Sequence, residues 1–272
     1  MTVVFELDTS FGFFSVFFFL CKSYIYAKNT NQQFYIHHNE WGYDGGKGWH
    51  GYFTTLECYP GNPQATYWIK HGNMPCNIPT YSLTEYIECI PEIFILQPEL
   101  LHIVETYIDE INGPYIAIYI RRGDKYAESA FISESDILSK VVMSDCNTIF
   151  IQTDDYSVVE CIRNLLPDKK VLSRVSVNKH GHYQNKIYLQ NARDTNPYKD
   201  EARAFNDTKD NSIDTVEFLT SCIISMRAKA CWVDYSSNVG RFLKLASPET
   251  VHAYAGRPFE ADRKMDPYWS FK

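Results

Sequence analysis

The 272-residue sequence has no internal repeat, no low-complexity tract and no long linker, which excludes solenoids and tail-like modules. None of its eight cysteines stands in a C-x-x-C pair, and His180 and His182 have neither a nearby cysteine nor a third histidine. No metal site is therefore expected, and reduced, mostly buried thiols are. The G-x-x-x-x-G-K-[ST] loop of the P-loop enzymes is missing, which counts against a kinase. Basic residues are in deficit: 26 Lys+Arg against 33 Asp+Glu leave a formal net charge of −7, a poor match for a nucleic-acid backbone. Long apolar runs are scarce. FGFFSVFFFLC (Phe11–Cys21) is too short to cross a bilayer. Glu6 and Asp8 precede it instead of a basic segment, and no small-residue cleavage site follows. It is expected as a buried helix in a soluble, cytoplasmic protein with no membrane span.

What is present is ordinary globular material, 45% hydrophobic and 22% charged, with length for one large or two small domains. Aromatic residues reach 15%, a supply that suits a core first and sugar or base stacking second. Asn206-Asp207-Thr208 spells a glycosylation sequon, read as chance.

VVFEL (Val3–Leu7) reads as a buried strand, Asp8 to Gly12 as a loop, Ser15 to Lys28 as a helix and Phe34 to Ile36 as a strand. This β-loop-α-β opening predicts a parallel sheet with ligands beyond its carboxyl ends. WGYDGGKGWHGYF (Trp41–Phe53) lacks periodicity and reads as a functional loop, and Cys58 to Pro79 reads as irregular. Leu100, Leu101, Val104, Ile108 and Ile111 predict a helix from Gln97 to Ile111, stopped by Asn112-Gly113-Pro114, where a domain boundary is expected.

Alternation then restarts: strand Tyr115–Ile120, a helix from Ser133 or Ser135 to Met143, strand Thr148–Gln152, helix Ser157–Leu166, a short strand at Val171–Leu172. The polar excursion Tyr183–Asp210 separates these from helix Thr215–Arg227, strand Ala230–Val233 and helix Val239–Leu245. The expected fold is α/β, two facing Rossmann-like parallel-sheet domains covering 1–112 and 113–272.

Three strand tips in the second half carry polar clusters: Arg121-Arg122-Gly123-Asp124-Lys125, Thr153-Asp154-Asp155 and Asp234-Tyr235-Ser236-Ser237-Asn238. In a parallel sheet they lie along one rim. Gly123 permits a sharp turn or the close approach of a ligand. Ser236-Ser237-Asn238 is an N-cap run or, equally, a phosphate seat at a helix mouth. Arg121 is a forked donor suited to a diphosphate, whose leaving charge such a site must stabilise. Lys125 and Glu128 read as a solvated pair or as a base with its tuning lysine. Of Asp154 and Asp155, one is expected to cap the helix and the other to orient an arginine. Arg122-Gly123-Asp124 also spells an adhesion tripeptide, so a non-enzymatic glycan-binding or RGD-type adhesion module is the alternative.

At the strand followed by RRGDK…E-S-A-F, the TDD after TIFIQ and the S-S-N turn, the sequence resembles the α-1,6-fucosyltransferase family: core and Nod-factor fucosyltransferases and, more distantly, protein O-fucosyltransferases. FYIHHNEWGYDGGKGW resembles that family's acceptor-side domain. The resemblance implies a GT-B glycosyltransferase, inverting and metal-independent, that moves fucose or xylose from a nucleotide-sugar donor to an oligosaccharide or glycoprotein hydroxyl, without a cofactor. It implies donor contacts from Tyr119, Arg121, Arg122, Gly123, Asp154, Asp155, Ser236, Ser237 and Asn238. Lys125 and Glu128 would activate the acceptor, with Asp124 bracing the site, and Gly12, His38, Trp41 and Trp49 would face the acceptor. Tyr119 stands where the family has histidine. The acidic base-contacting position falls near Ser221, with Glu217 and Asp214 as substitutes, so the donor stays open between GDP-fucose and UDP-xylose. The compact form resembles microbial and large-virus enzymes of surface glycans.

Overall fold

In the first half, β1 (Thr2–Leu7), β2 (Gln33–His38), β3 (Glu57–Cys58) and β4 (Tyr67–Lys70) form a wholly parallel sheet in the order β3-β2-β1-β4. The computed structural model describes residues 2–7, 12–38, 41, 43, 47–61, 67–70, 74–75, 78–122, 132–141, 146–177 and 212–256. The chain divides into two compact units, one built mainly on Met1–Leu100 and the other on Leu101–Lys209 and Val216–Pro258.

The apolar stretch Phe11–Cys21 supplies most of α1 (Phe13–Asn29), whose residues are buried nearly all round, as a core helix requires. Among the described residues no helix is long and apolar enough to cross a membrane. Phe13, Phe14 and Phe17 stack into an aromatic core with Trp41, Phe53 and Phe94. α2 (Leu83–Ile93) opens with a capping box in which Ser82 Oγ accepts from the Glu85 amide and Glu85 Oε2 accepts from the Ser82 amide. That Ser-x-x-Glu signature was not read from the sequence. Tyr24 and Lys28 of α1 both donate to the Glu92 carboxylate at the far end of α2.

The second unit contains most of α3 (Pro98–Ile111), then β5 (Tyr115–Ile120), α4 (Glu134–Lys140), β6 (Thr148–Thr153), α5 (Tyr156–Leu165) and β7 (Lys170–Leu172). It continues through α6 (Ser212–Met226), β8 (Ala230–Asp234), α7 (Asn238–Ala246) and β9 (Val251–Ala255). Its sheet is also parallel, ordered β7-β6-β5-β8-β9. Numbered from β5, this is 3-2-1-4-5, the doubly wound order whose direction reverses between β5 and β8. β5 is buried along its whole length, as the central strand of a sheet covered on both faces must be. Ile116, Ile118 and Ile120 pack with Ile137 of α4 and Val158, Val159 and Ile162 of α5. The opposite face meets α6, where the Tyr115 hydroxyl donates to the Ile224 carbonyl and Gln152 bridges Cys222 and Ser225.

Both sheets being parallel, the α/β expectation holds. β4 lies inside the segment read as irregular, and β9 was not read at all. Of the described cysteines, Cys21, Cys89, Cys146, Cys222 and Cys231 are buried free thiols, and burial pushes Cys222 up to about 12.

Candidate functional site

The pleat of β5 decides where the two arginines go. Successive residues face opposite sides, so Arg122 follows Ile118 and Ile120 toward α4, while Arg121 follows Tyr119. Arg122 is 5% exposed. Its Nη2 donates to Glu134 Oε1 at 2.6 Å and to the Ile132 carbonyl at 2.7 Å, and Nε donates to the same Glu134 oxygen at 3.1 Å. Arg121 keeps about a quarter of its side chain exposed, with Nε 3.9 Å from Asp154 Oδ2. The other Asp154 oxygen accepts from the Arg122 amide at 2.6 Å, so one carboxylate ties the backbone of one arginine to the side chain of the other. Asp155 is the helix cap: its Oδ1 accepts from the Ser157 amide at 2.9 Å.

Across the reversal point, Asp234 ends β8 at a register shift and organises the turn. Its Oδ1 accepts from the Ser236 amide and its Oδ2 from the Ser236 hydroxyl, at 2.8 and 2.6 Å. Its carbonyl accepts from the Ser237 amide and hydroxyl. Ser237 caps α7, its Oγ accepting from the Gly240 amide at 2.9 Å. Gly240 is required here, since a Cβ would lie 2.2 Å from the Asp234 carbonyl oxygen. Buried Arg241 donates to the Tyr235 carbonyl at 3.0 Å and to Asn238 Oδ1 at 3.1 Å, riveting the turn to the helix. Burial pushes its guanidinium down to about 10, with Asp234 opposing the shift.

Tyr119 joins the two tips. It sits on β5 close to Arg121, Asp154 and Ser237, and its carbonyl accepts from the Tyr254 hydroxyl at 2.9 Å. Burial raises the Tyr119 phenol far above its ordinary value; Arg121 and Ser237 act in the opposite sense. A neutral hydroxyl, a guanidinium and a capped helix start therefore lie at or near the adjoining carboxyl ends of β5 and β8. Free amides and the helix dipole favour an anion there.

In the first unit, Gly12 stands exposed before α1 with open space around it, and its carbonyl accepts from the Ser15 amide at 2.8 Å. His38 ends β2; its Nε2 lies 3.4 Å from Cys58 Sγ, and Gly48, at φ +64°, fits against its ring where a Cβ would lie 2.5 Å away. Trp41 and Trp49 are 3% and 1% exposed. The Trp49 ring stacks on Phe53 at 4.1 Å and its Nε1 donates to the Thr55 carbonyl, so both tryptophans belong to the aromatic core. Among the described residues no three His, Cys, Asp or Glu side chains are arranged to hold a metal ion.

No family model and no curated protein matches the sequence. Solved structures do match in shape. NodZ α-1,6-fucosyltransferase soaked with GDP-fucose aligns over 91% of this chain and 92% of its own, at a TM-score of 0.56 and 13% identity. Fucosyltransferase NodZ from Bradyrhizobium aligns over 91% and 93%, at 0.56 and 12% identity. A variant of Arabidopsis thaliana FUT1 in complex with GDP aligns over 92% and 69%, at 0.53 and 9% identity. The fold is fucosyltransferase-like GT-B.

Within this GT-B chain the structure places Tyr119, Arg121, Asp154, Ser236, Ser237 and Asn238 at the neighbouring ends of β5, β6 and β8, with Asp155 as a helix cap and Arg122 buried against Glu134. Gly123, Asp124, Lys125 and Glu128 lie outside the described residues. Sequence reading named Asp234 in a polar tip without giving it a role, and missed Glu134, Gly240 and Arg241. A signal existed for three of these: Asp-x-Ser-Ser-x-x-Gly-Arg pairs a strand-end carboxylate with a capped helix whose third residue is glycine. Nothing local marks Glu134 as the partner of an arginine twelve residues earlier.

Proposed function

We propose that this chain is a glycosyltransferase that moves a sugar from a nucleoside-diphosphate donor to a glycan hydroxyl, with GDP-fucose as the donor. The observation that carries the reading is that Arg121, just past β5, and the Ser237-capped start of α7, just past β8, stand at the carboxyl ends of neighbouring strands where the strand order reverses. Transfer from a nucleotide sugar leaves a diphosphate whose negative charge grows as the glycosidic bond breaks. A fixed guanidinium and unpaired helix amides stabilise that charge more in the transition state than in the ground state. Tyr119, held neutral by burial, adds a hydroxyl that gives or receives a hydrogen bond without adding charge.

The guanosine assignment is supported by the similarly folded fucosyltransferases, of which NodZ was soaked with GDP-fucose and the FUT1 variant is in complex with GDP. In this reading Glu128 removes the proton of the attacking hydroxyl with Lys125 tuning it, Asp124 supports the loop, and attack from the face opposite the diphosphate inverts the anomeric carbon. Arg121 and α7 supply the charge neutralisation that a divalent ion supplies elsewhere. The adhesion reading is weakened by Arg122, whose guanidinium is buried against Glu134 where a display tripeptide needs it exposed.

Calorimetric titration with GDP, UDP, GDP-fucose and UDP-xylose tests the donor. Micromolar binding of GDP and GDP-fucose, with UDP compounds at least tenfold weaker, is the expected result. Preference for uridine nucleotides would overturn the donor, and binding of no nucleotide would overturn the transferase reading.

A further inference from the structure

Alternation along the first sheet sends Phe34, Ile36, Tyr67 and Ile69 to the face that meets α1, where Tyr24 packs on Phe34 and Tyr26 on Tyr67. The opposite face carries Glu6, Tyr35, His37, Trp68 and Lys70. There Trp68 is 46% exposed, an unusual state for so large an apolar surface. Its ring meets His37 at 5.2 Å and Tyr59 at 5.3 Å, both nearly perpendicular, and Tyr59 meets Tyr35 in the same way. Two edge contacts fix the indole's orientation while leaving nearly half of it open to solvent.

The position is as telling as the chemistry. The order β3-β2-β1-β4 reverses direction at β1, and Trp68 and Lys70 of β4 lie directly beside Val4 and Glu6 of β1. Glu6 and His37 stand one residue before the carboxyl ends of their strands, Lys70 at the end of β4 two residues beyond Trp68, and Tyr59 just past β3. In open parallel sheets that is where ligands are received. Among the described residues this aromatic surface is edged by the carboxylates of Glu6 and Glu57 and the ammonium of Lys70, a rim of mixed sign that suits a neutral ligand with an apolar face and a hydroxylated rim. A pyranose ring has that form: its axial C–H groups rest on the electron-rich face of an indole and its hydroxyls bond to the flanking charges.

We infer that Trp68, flanked by Glu6 and Lys70, forms a subsite for a neutral sugar ring of the acceptor oligosaccharide, distinct from the buried Trp41 and Trp49. The inference deepens the glycosyltransferase reading and rests on it only for the word acceptor. The test is calorimetric titration of the full chain with neutral β-linked oligosaccharides of glucose, galactose, xylose and N-acetylglucosamine, with GDP titrated in parallel. Wild type binds at least one of them. Trp68→Leu, which keeps apolar cover over Val4 but no ring, weakens that binding by about tenfold, the worth of one aromatic contact, and leaves GDP affinity unchanged. Trp68→Tyr retains most of the affinity, and Glu6→Gln, a change at the sheet surface, lowers it several-fold. Failure of every oligosaccharide to bind wild type, or unweakened binding by both Trp68→Leu and Glu6→Gln, overturns the subsite. Sugar binding lost in Trp68→Leu by a chain that binds no nucleotide upholds the subsite and overturns the transferase reading instead.

Discussion

A single oxygen of Glu134 receives two nitrogens of Arg122, Nη2 at 2.6 Å and Nε at 3.1 Å, with both side chains almost withdrawn from solvent. The pair ties the end of β5 to the first turn of α4, while the neighbouring Arg121 remains partly exposed. The two arginines of this tip therefore differ in setting: one is buried as a fastening and the other keeps part of its side chain at the surface.

Removing the carboxylate strands a buried guanidinium. Glu134→Ala is expected to destabilise the fold by about 3–5 kcal/mol, as broken buried ion pairs do. Urea unfolding measures it, and the double variant Arg122→Met/Glu134→Leu should lie closer to wild type than Glu134→Ala does.

Arg121→Ala should leave the melting temperature within a few degrees of wild type, because the side chain is partly exposed and its ion pair with Asp154 is long. GDP affinity should fall by about 10- to 100-fold, the worth of one or two charged hydrogen bonds. Calorimetry decides; an unchanged affinity would remove Arg121 from the donor site.

The α7 entrance has two separable supports. Ser237→Ala removes a cap and should cost about 1 kcal/mol. Gly240→Ala drives a methyl group into the Asp234 carbonyl, a backbone atom that cannot swing aside, and should cost more, about 1–3 kcal/mol. Comparing the two denaturation midpoints checks the order.

Trp49→Ala should be among the most destabilising changes in the first unit, about 3–5 kcal/mol, since it empties a stacked and hydrogen-bonded core position. A mild effect on unfolding would mean that the ring is not the core element described above.

Alkali should unfold the second unit through its phenols. Burial raises Tyr107, Tyr115 and Tyr235 to about 12, and Tyr119 and Tyr254 in the same direction, against 10.0 for a free phenol. The folded state thus holds protons that the unfolded state releases. That stabilisation is full below pH 10 and is lost as pH rises through the folded values. Tyrosinate absorbance followed together with circular dichroism should show these phenols ionising only as structure is lost.

Most of the second sheet was legible in the sequence because its strands are continuous apolar runs with polar tips, and a tip is contiguous in sequence. Arg121 and the Ser237 cap could be read for that reason. Glu134 could not, since its role arises only where the end of β5 meets α4 in the fold. β4 and β9 are four and five residues long and gain strand form from their neighbours, against weak local preference. Trp41 and Trp49 were read as surface because glycine-rich segments look open. Here Trp41 and Trp49 turn inward, and among the described residues the exposed indole is Trp68, from a stretch that gave no strand signal.

β5 is hydrogen-bonded on one side to β6 and on the other to β8, and Ile116 finds its β8 neighbour only at Ala230. During synthesis the arginine-bearing edge therefore emerges more than a hundred residues before the half of the crevice that faces it. A nascent chain stopped short of α7 would hold the Glu134 fastening and one wall, with no helix mouth opposite. Ligand affinity should accordingly arrive late and all at once, as an outcome of long-range closure that no early fragment can rehearse.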